Sequence, residues 1–172
     1  MKNILLILLS LTMIVFSNSV FAKSVGELSN RNGLFYEPFS PNLANGTYET
    51  YYANGQLSII ATYKDGIKEG PFKEHYPNGQ LYLKSTMKDG KPDGPTEIYY
   101  ENGQLEVRTT MKDGKYDGPG VGYHENGQLK VKRTFKDGER DGLTEIYEED
   151  GTLITKAFFV NGEMFECEGK CN

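Results

Sequence analysis

The chain has 172 residues, with 19 basic and 24 acidic side chains, a formal net charge of −5 and no tryptophan. That length sets one domain or one repeat array as the expectation. The acidic balance excludes a nucleic-acid binder, whose affinity rests on counterion release by positive charge.

The first residues, MKNILLILLSLTMIVFSNSVFA, carry one positive charge at Lys2 and an apolar run from Ile4 to Phe16. This is the layout of a cleaved secretory signal, residues 1–22, with its small-residue site after Ala22. The run and its flanks would just span a bilayer, so an uncleaved anchor is the competing reading. No cysteine lies near the site, which argues against a lipid-anchored form. Cleavage would leave 18 basic against 24 acidic side chains, a net charge of −6. The expected location is therefore exported, periplasmic or secreted. Residues 23–45 form an N-terminal flank, in which NGLFYEPFSPN looks like a decayed or capping unit.

Residues 46–162 repeat with a period of 24 and no insertion. NGQL begins at residues 54, 78, 102 and 126, with DGTL at 150; KDG begins at 64, 88, 112 and 136, with VNG at 160. Fifteen of the twenty glycines fall on this lattice, which makes them turn residues rather than linker residues. Asn-Gly predicts a two-residue type I′ hairpin turn, and the KDG-x-x-[DE]G segment predicts a longer loop. Between the turns the chain alternates and is rich in β-branched and aromatic residues, so strands are expected. No apolar stripe at a helical period survives.

With Asn102-Gly103 as the loop, Tyr100 is expected opposite Leu105, Ile98 opposite Val107 and Thr96 opposite Thr109. The other face then pairs Tyr99 with Glu106 and Glu97 with Arg108. Repeated by one period, the first face gains a column Leu57, Leu81, Leu105, Leu129 and Leu153 beside Ile59, Leu83, Val107 and Val131. A third column runs Tyr63, Met87, Met111, Phe135 and Phe159. The second face carries Tyr51, His75, Tyr99, Tyr123 and Tyr147, flanked by Lys84, Arg108, Lys132 and Lys156. Lys73 is expected against Lys84, a like-charge pair that weakens the sheet slightly. The predicted class is all-β: an elongated antiparallel β-meander of about ten strands, one curved sheet stabilised by stacking of its hairpins.

Units such as GPTEIYYENGQLEVRTTMKDGKYDG, over roughly residues 46–162, resemble the MORN repeat in its bacterial variant form. Tetratricopeptide repeats would need helices, and leucine-rich repeats an asparagine ladder, neither of which is read in the sequence. The resemblance implies a β-sheet used for binding, scaffolding or membrane association. Relatives implied by it include the YwqK-type antitoxin group, whose toxins are met in the cytoplasm, in conflict with the export signal here.

Little in the chain points to catalysis or cofactors. His75 and His124 stand where other repeats place tyrosine, with no nucleophile and orienting carboxylate beside either. The acidic turns Asp89/Asp93, Asp113/Asp117 and Asp137/Asp141 raise a calcium reading. Equivalent turns lie roughly 9–10 Å apart at ordinary strand spacing, too far to share an ion held at about 2.3–2.6 Å, so they are expected to be solvated. The column Lys84 to Lys156 is expected to serve cross-strand pairing. At the end of the chain, residues 163–172 form a tail in which Cys167 and Cys171 are expected to close a disulfide around Gly169. No metal, cofactor or catalytic residue is expected. The candidate partner-binding residues are Tyr51, Tyr99, Tyr123, Tyr147 and Lys132, because amphipathic rings in a row suit an interface. The expected function is an exported, non-catalytic module binding a protein or envelope component, not nucleic acid. A neutralising antitoxin or immunity-type protein and a peripheral membrane module are the alternatives, with self-association a further option.

Overall fold

The computed structural model describes residues 23–24 and 28–165. The predicted signal segment 1–22 and the cysteine pair Cys167/Cys171 lie outside the described residues. Within them there is no helix. Fifteen strands form one sheet, a meander of hairpins in chain order, with a separate two-stranded hairpin Ser29–Arg31/Leu34–Tyr36. The sheet is not closed. The meander is antiparallel, as expected, with one short parallel pairing added at its first edge, Lys23–Ser24 alongside Gly46–Tyr51. The strand count exceeds the expected ten partly because three two-residue segments, such as Lys91–Pro92, pair just after the KDG turns.

The turn assignment is reversed by the structure. Asp89 and Gly90 have φ of 49° and 79°, and Lys88 pairs directly with Lys91, so Asp-Gly makes the two-residue type I′ turn. At Asn-Gly the loop has three residues. The Gly103 N–H donates to the Tyr100 carbonyl at 2.9 Å and the Tyr100 N–H to the Gln104 carbonyl at 2.8 Å. Only Gly103 takes a positive φ there. This is a type I turn closed by a left-handed glycine. The asparagine side chain decides the matter: Asn102 Oδ1 accepts the Gln104 N–H at 2.9 Å, an Asx turn that needs no left-handed asparagine.

A three-residue loop shifts the register by one, and the chain takes the shift back. Leu105 pairs with Tyr99, a bulge follows, and Val107 pairs with Ile98, Arg108 with Glu97 and Thr109 with Thr96. The expected pairing beyond the bulge therefore holds, while the expected Tyr100–Leu105 pair does not form. The same bulge recurs at Leu57, Leu81, Leu129 and Leu153.

The core lies on the first face and is thickest near the N-terminal end. Ala44, Tyr48, Ala61, Tyr63, Phe72 and Met87 form a buried cluster, with Leu28, Phe35, Ile59 and Leu83 packed against it. Phe35 meets Tyr63 with ring centroids 5.1 Å apart, and Tyr63 meets Tyr48 edge-on at 5.7 Å. The flank 28–45 seats on the first Asp-Gly turn through main-chain bonds. Phe35 N–H donates to Gly66 O at 2.8 Å and Gly66 N–H to Ala44 O at 2.9 Å. A Cβ on Gly66 would stand 2.7 Å from the Phe35 carbonyl oxygen and 2.8 Å from Leu43 Cδ2. Further along, the column beginning Tyr48, Phe72 continues as Thr96, Gly120 and Thr144. A Cβ on Gly120 would lie 3.3 Å from the Phe135 ring, so here a ring from the neighbouring strand occupies the volume that a side chain fills elsewhere.

Candidate partner-binding face

Adjacent repeats are tied together by two side-chain ladders on the Asn-Gly side. Tyr52, Tyr76 and Tyr100 donate their hydroxyls to the carbonyls of His75, Tyr99 and Tyr123 at 2.6, 2.9 and 2.8 Å. His124 continues the row, with Nε2 3.0 Å from the Tyr147 carbonyl. This is why histidine is tolerated at a tyrosine position: the ring still supplies a donor at the same place. Beside it runs an asparagine ladder. Asn54, Asn78, Asn102 and Asn126 donate to the carbonyls of Pro77, Glu101, Glu125 and Glu149 at 2.8, 3.2, 3.5 and 2.9 Å. The expectation that no such ladder exists is corrected. It was hidden because the same asparagines also explain the turns.

The acidic turns are likewise tied together. Glu69, Asp93 and Asp117 accept the backbone N–H of Asp89, Asp113 and Asp137 at 2.9, 3.2 and 3.4 Å. They are therefore joints between repeats rather than merely solvated residues. Among the described residues no group of three or more His, Cys, Asp and Glu is placed to hold a metal ion.

These joints leave the second face free to present side chains. The tyrosine column stands there with its carboxylate partners. Tyr99 donates to Glu97 Oε2 at 2.9 Å, Tyr147 to Glu145 Oε2 at 3.0 Å, and Tyr51 to Glu49. Glu97 also takes Arg108 Nε at 3.1 Å and Lys84 Nζ at 3.5 Å; Glu145 takes Lys156 Nζ at 2.7 Å. The expected pairing of the basic column is thus observed at Lys84, Arg108 and Lys156. The Tyr99 hydroxyl, followed by the two cations, holds Glu97 below the usual carboxylate range. Lys156, then Tyr147, does the same for Glu145. Burial and then the nearby carboxylate raise Tyr99 and Tyr147 above an ordinary tyrosine.

The candidate residues fall into two groups. Tyr51, Tyr99 and Tyr147 have their hydroxyls turned onto glutamates, while their rings remain in the row. Tyr123 and Lys132 are different: Val121 stands where Tyr99 has Glu97, so Tyr123 has no carboxylate two residues before it. Lys132 lies opposite Glu145 and Val121 without an ion pair among the described residues. Lys73 does face Lys84, as expected.

The bulge corrects one further expectation. Leu105 stands opposite Tyr99, and opposed residues share a face. The leucine column therefore flanks the tyrosine column instead of backing it. Leu105 and Tyr123 line one shallow depression between neighbouring hairpins. Sequence reasoning missed this because the register was taken straight through the turn. The signal was the unbroken leucine after each NGQ, which a solvent-facing bulge alone would not demand.

The model of the MORN repeat variant family matches five tandem segments of the chain, residues 44–65, 68–89, 92–113, 116–137 and 140–161. A comparison with curated proteins returns no match.

Proposed function

The chain belongs to the MORN repeat variant family, and from that premise we propose that it is an exported, non-catalytic module whose tyrosine face binds a protein of the cell envelope. The carrying observation is the pairing of the tyrosine and leucine columns on one face, with the repeat joints made elsewhere. Rings held by carboxylates lose little conformational freedom on binding, and aromatic and leucine side chains together give a contact strip of protein-interface composition. Export rests on the N-terminal segment with its small-residue site at Ala22. The non-catalytic reading rests on the structural use of His124 and of the acidic turns.

The test is a pull-down from envelope extract with the mature chain and with a Tyr99→Ala, Tyr123→Ala, Tyr147→Ala variant, beside sedimentation with anionic vesicles. A protein retained by the parent and lost from the variant supports the reading. Identical partner sets remove the tyrosine face from it, and vesicle binding without a protein partner replaces it with the membrane alternative. Capture of one tight partner that is a toxin converts it to the antitoxin alternative.

A further inference from the structure

The first face holds a pocket of a different character, at the junction of the fourth and fifth matched repeats. A cavity of about 220 Å³ is lined by Lys130, Val131, Arg133, Arg140, Thr144 and Ile146. Three cationic side chains therefore meet in one place on a protein of net charge −5. None of the three is in an ion pair among the described residues; the bridges of Glu97 and Glu145 lie on the other face. Each guanidinium is laid over a ring, Arg133 over Phe135 at 5.1 Å and Arg140 over Phe159 at 5.1 Å. Such stacking uses the flat side of the group and leaves its N–H edge for an acceptor. Thr144 is 4 % exposed, and its Oγ1 is buried with no hydrogen-bond partner.

The lattice shows that this cluster is particular to one junction. Where Arg133 stands, the other repeats carry Ala61, Ser85, Thr109 and Ala157. Where Lys130 stands they carry Ser58, Tyr82, Glu106 and Ile154, and where Arg140 stands, Lys68, Pro92, Tyr116 and Met164. The repeat fold does not ask for these cations.

We propose that this pocket is an oxyanion-binding site, taking a carboxylate or phosphate group carried by a small ligand with an apolar body. Paired guanidinium edges match the two acceptor oxygens of such a group, and Lys130 adds charge without directional demand. Val131 and Ile146 line the same depression and meet the apolar part. The site lies on the face opposite the tyrosine strip, so it stands whether or not that strip binds a protein.

The experiment is calorimetric titration of the full chain with benzoate, phenyl phosphate and inorganic phosphate. At least one aryl probe saturates a single site, more weakly as salt rises. The better of the two identifies the carboxylate or the phosphate as the natural group. Arg133→Ala, which installs the residue found at positions 61 and 157, weakens that binding about tenfold or more, the scale of a lost charge-assisted bond. Arg140→Met, the residue of position 164, reads the same loss independently, with circular dichroism confirming the strand signal in both. No saturable heat from any probe at millimolar concentration overturns the proposal. So does unchanged affinity in both variants.

Discussion

The two ends of this array are built from the same 24-residue unit and are finished differently. At the N-terminal end the flank 28–45 closes over Tyr48, Tyr63 and Phe72, and its main chain bonds to the Gly66 turn. At the other end Leu153, Ile154, Phe158, Val160, Met164 and Phe165 are 40–60 % exposed. The ladders also end there. Glu148 and Asp150 replace the tyrosine and asparagine donors of the earlier repeats, and a carboxylate is an acceptor. The lesson concerns direction. Each Asn-Gly turn donates to the one that follows it, and the fifth matched repeat carries no such donor, whereas the apolar face of the first is covered by the flank.

The difference is broken most sharply by truncating one apolar side chain at each end. Phe72→Ala removes a buried ring from the main cluster and is expected to cost about 3–5 kcal/mol, in the range of large-to-small core changes. Phe158→Ala, at a residue 43 % exposed, should cost under about 1 kcal/mol. Urea denaturation of both variants compares them, and equal losses would mean the core does not thin along the array.

Matched glycines give the next largest contrast. Gly66 and Gly162 both take the second central position of type I′ turns, with φ of 78° and 83°. Alanine is strained at either, but only at Gly66 does its Cβ also run into the flank's backbone. Gly66→Ala should therefore cost roughly 3 kcal/mol, strain plus overpacking. Gly162→Ala should cost about 1–2 kcal/mol, the left-handed penalty alone. Thermal melts read the difference, and a larger loss at Gly162 would contradict the account of the cap.

Acid should act on the middle and the end of the array rather than on its cap. Glu97 and Glu145 are depressed in the folded chain, so their stabilisation is present above the unfolded carboxylate value of about 4.3 and is lost as pH falls through the folded value. The variant Glu97→Gln, Glu145→Gln should show a flatter acid limb of stability against pH than the parent. Two superimposable limbs would remove the glutamate clusters from the account. The smallest effect is a gain: Lys73→Glu replaces the like pair with Lys84 by an opposite one and should stabilise by about 0.2–1 kcal/mol. A lower melting temperature would show that this pairing is not felt.

Much of this molecule was legible in the chain, because a strict period converts local turn chemistry into long-range register. Pairs such as Glu97–Arg108 and Lys73–Lys84 followed from counting alone. The turn types did not. Asn-Gly and Asp-Gly both suit a type I′ turn by propensity, and the choice is made by what the Asn102 side chain bonds: the Gln104 N–H in its own turn and the Glu125 carbonyl in the next repeat. The error was masked beyond the bulge, where one extra residue restores the pairing, and it surfaced only in the leucine column. Tyr51, Tyr99, Tyr123 and Tyr147 do share one face. Their division into three with a glutamate two residues before and one without was already written in residues 49, 97, 121 and 145. The cation cluster at Arg133 and Arg140 escaped notice because the two residues are distant columns of one repeat, joined only by the return of the short strand Glu139–Arg140 to pair at Phe135.

Hydrogen exchange followed by mass spectrometry on the full chain tests the directional array most directly. Amide protons in Gly46–Tyr51, Leu57–Lys64 and Ile67–His75 should persist longest, with protection falling along the repeats to Leu153–Val160 and Glu163–Phe165. Uniform protection, or protection greatest in the last two strands, would contradict a closed N-terminal end and an open C-terminal one.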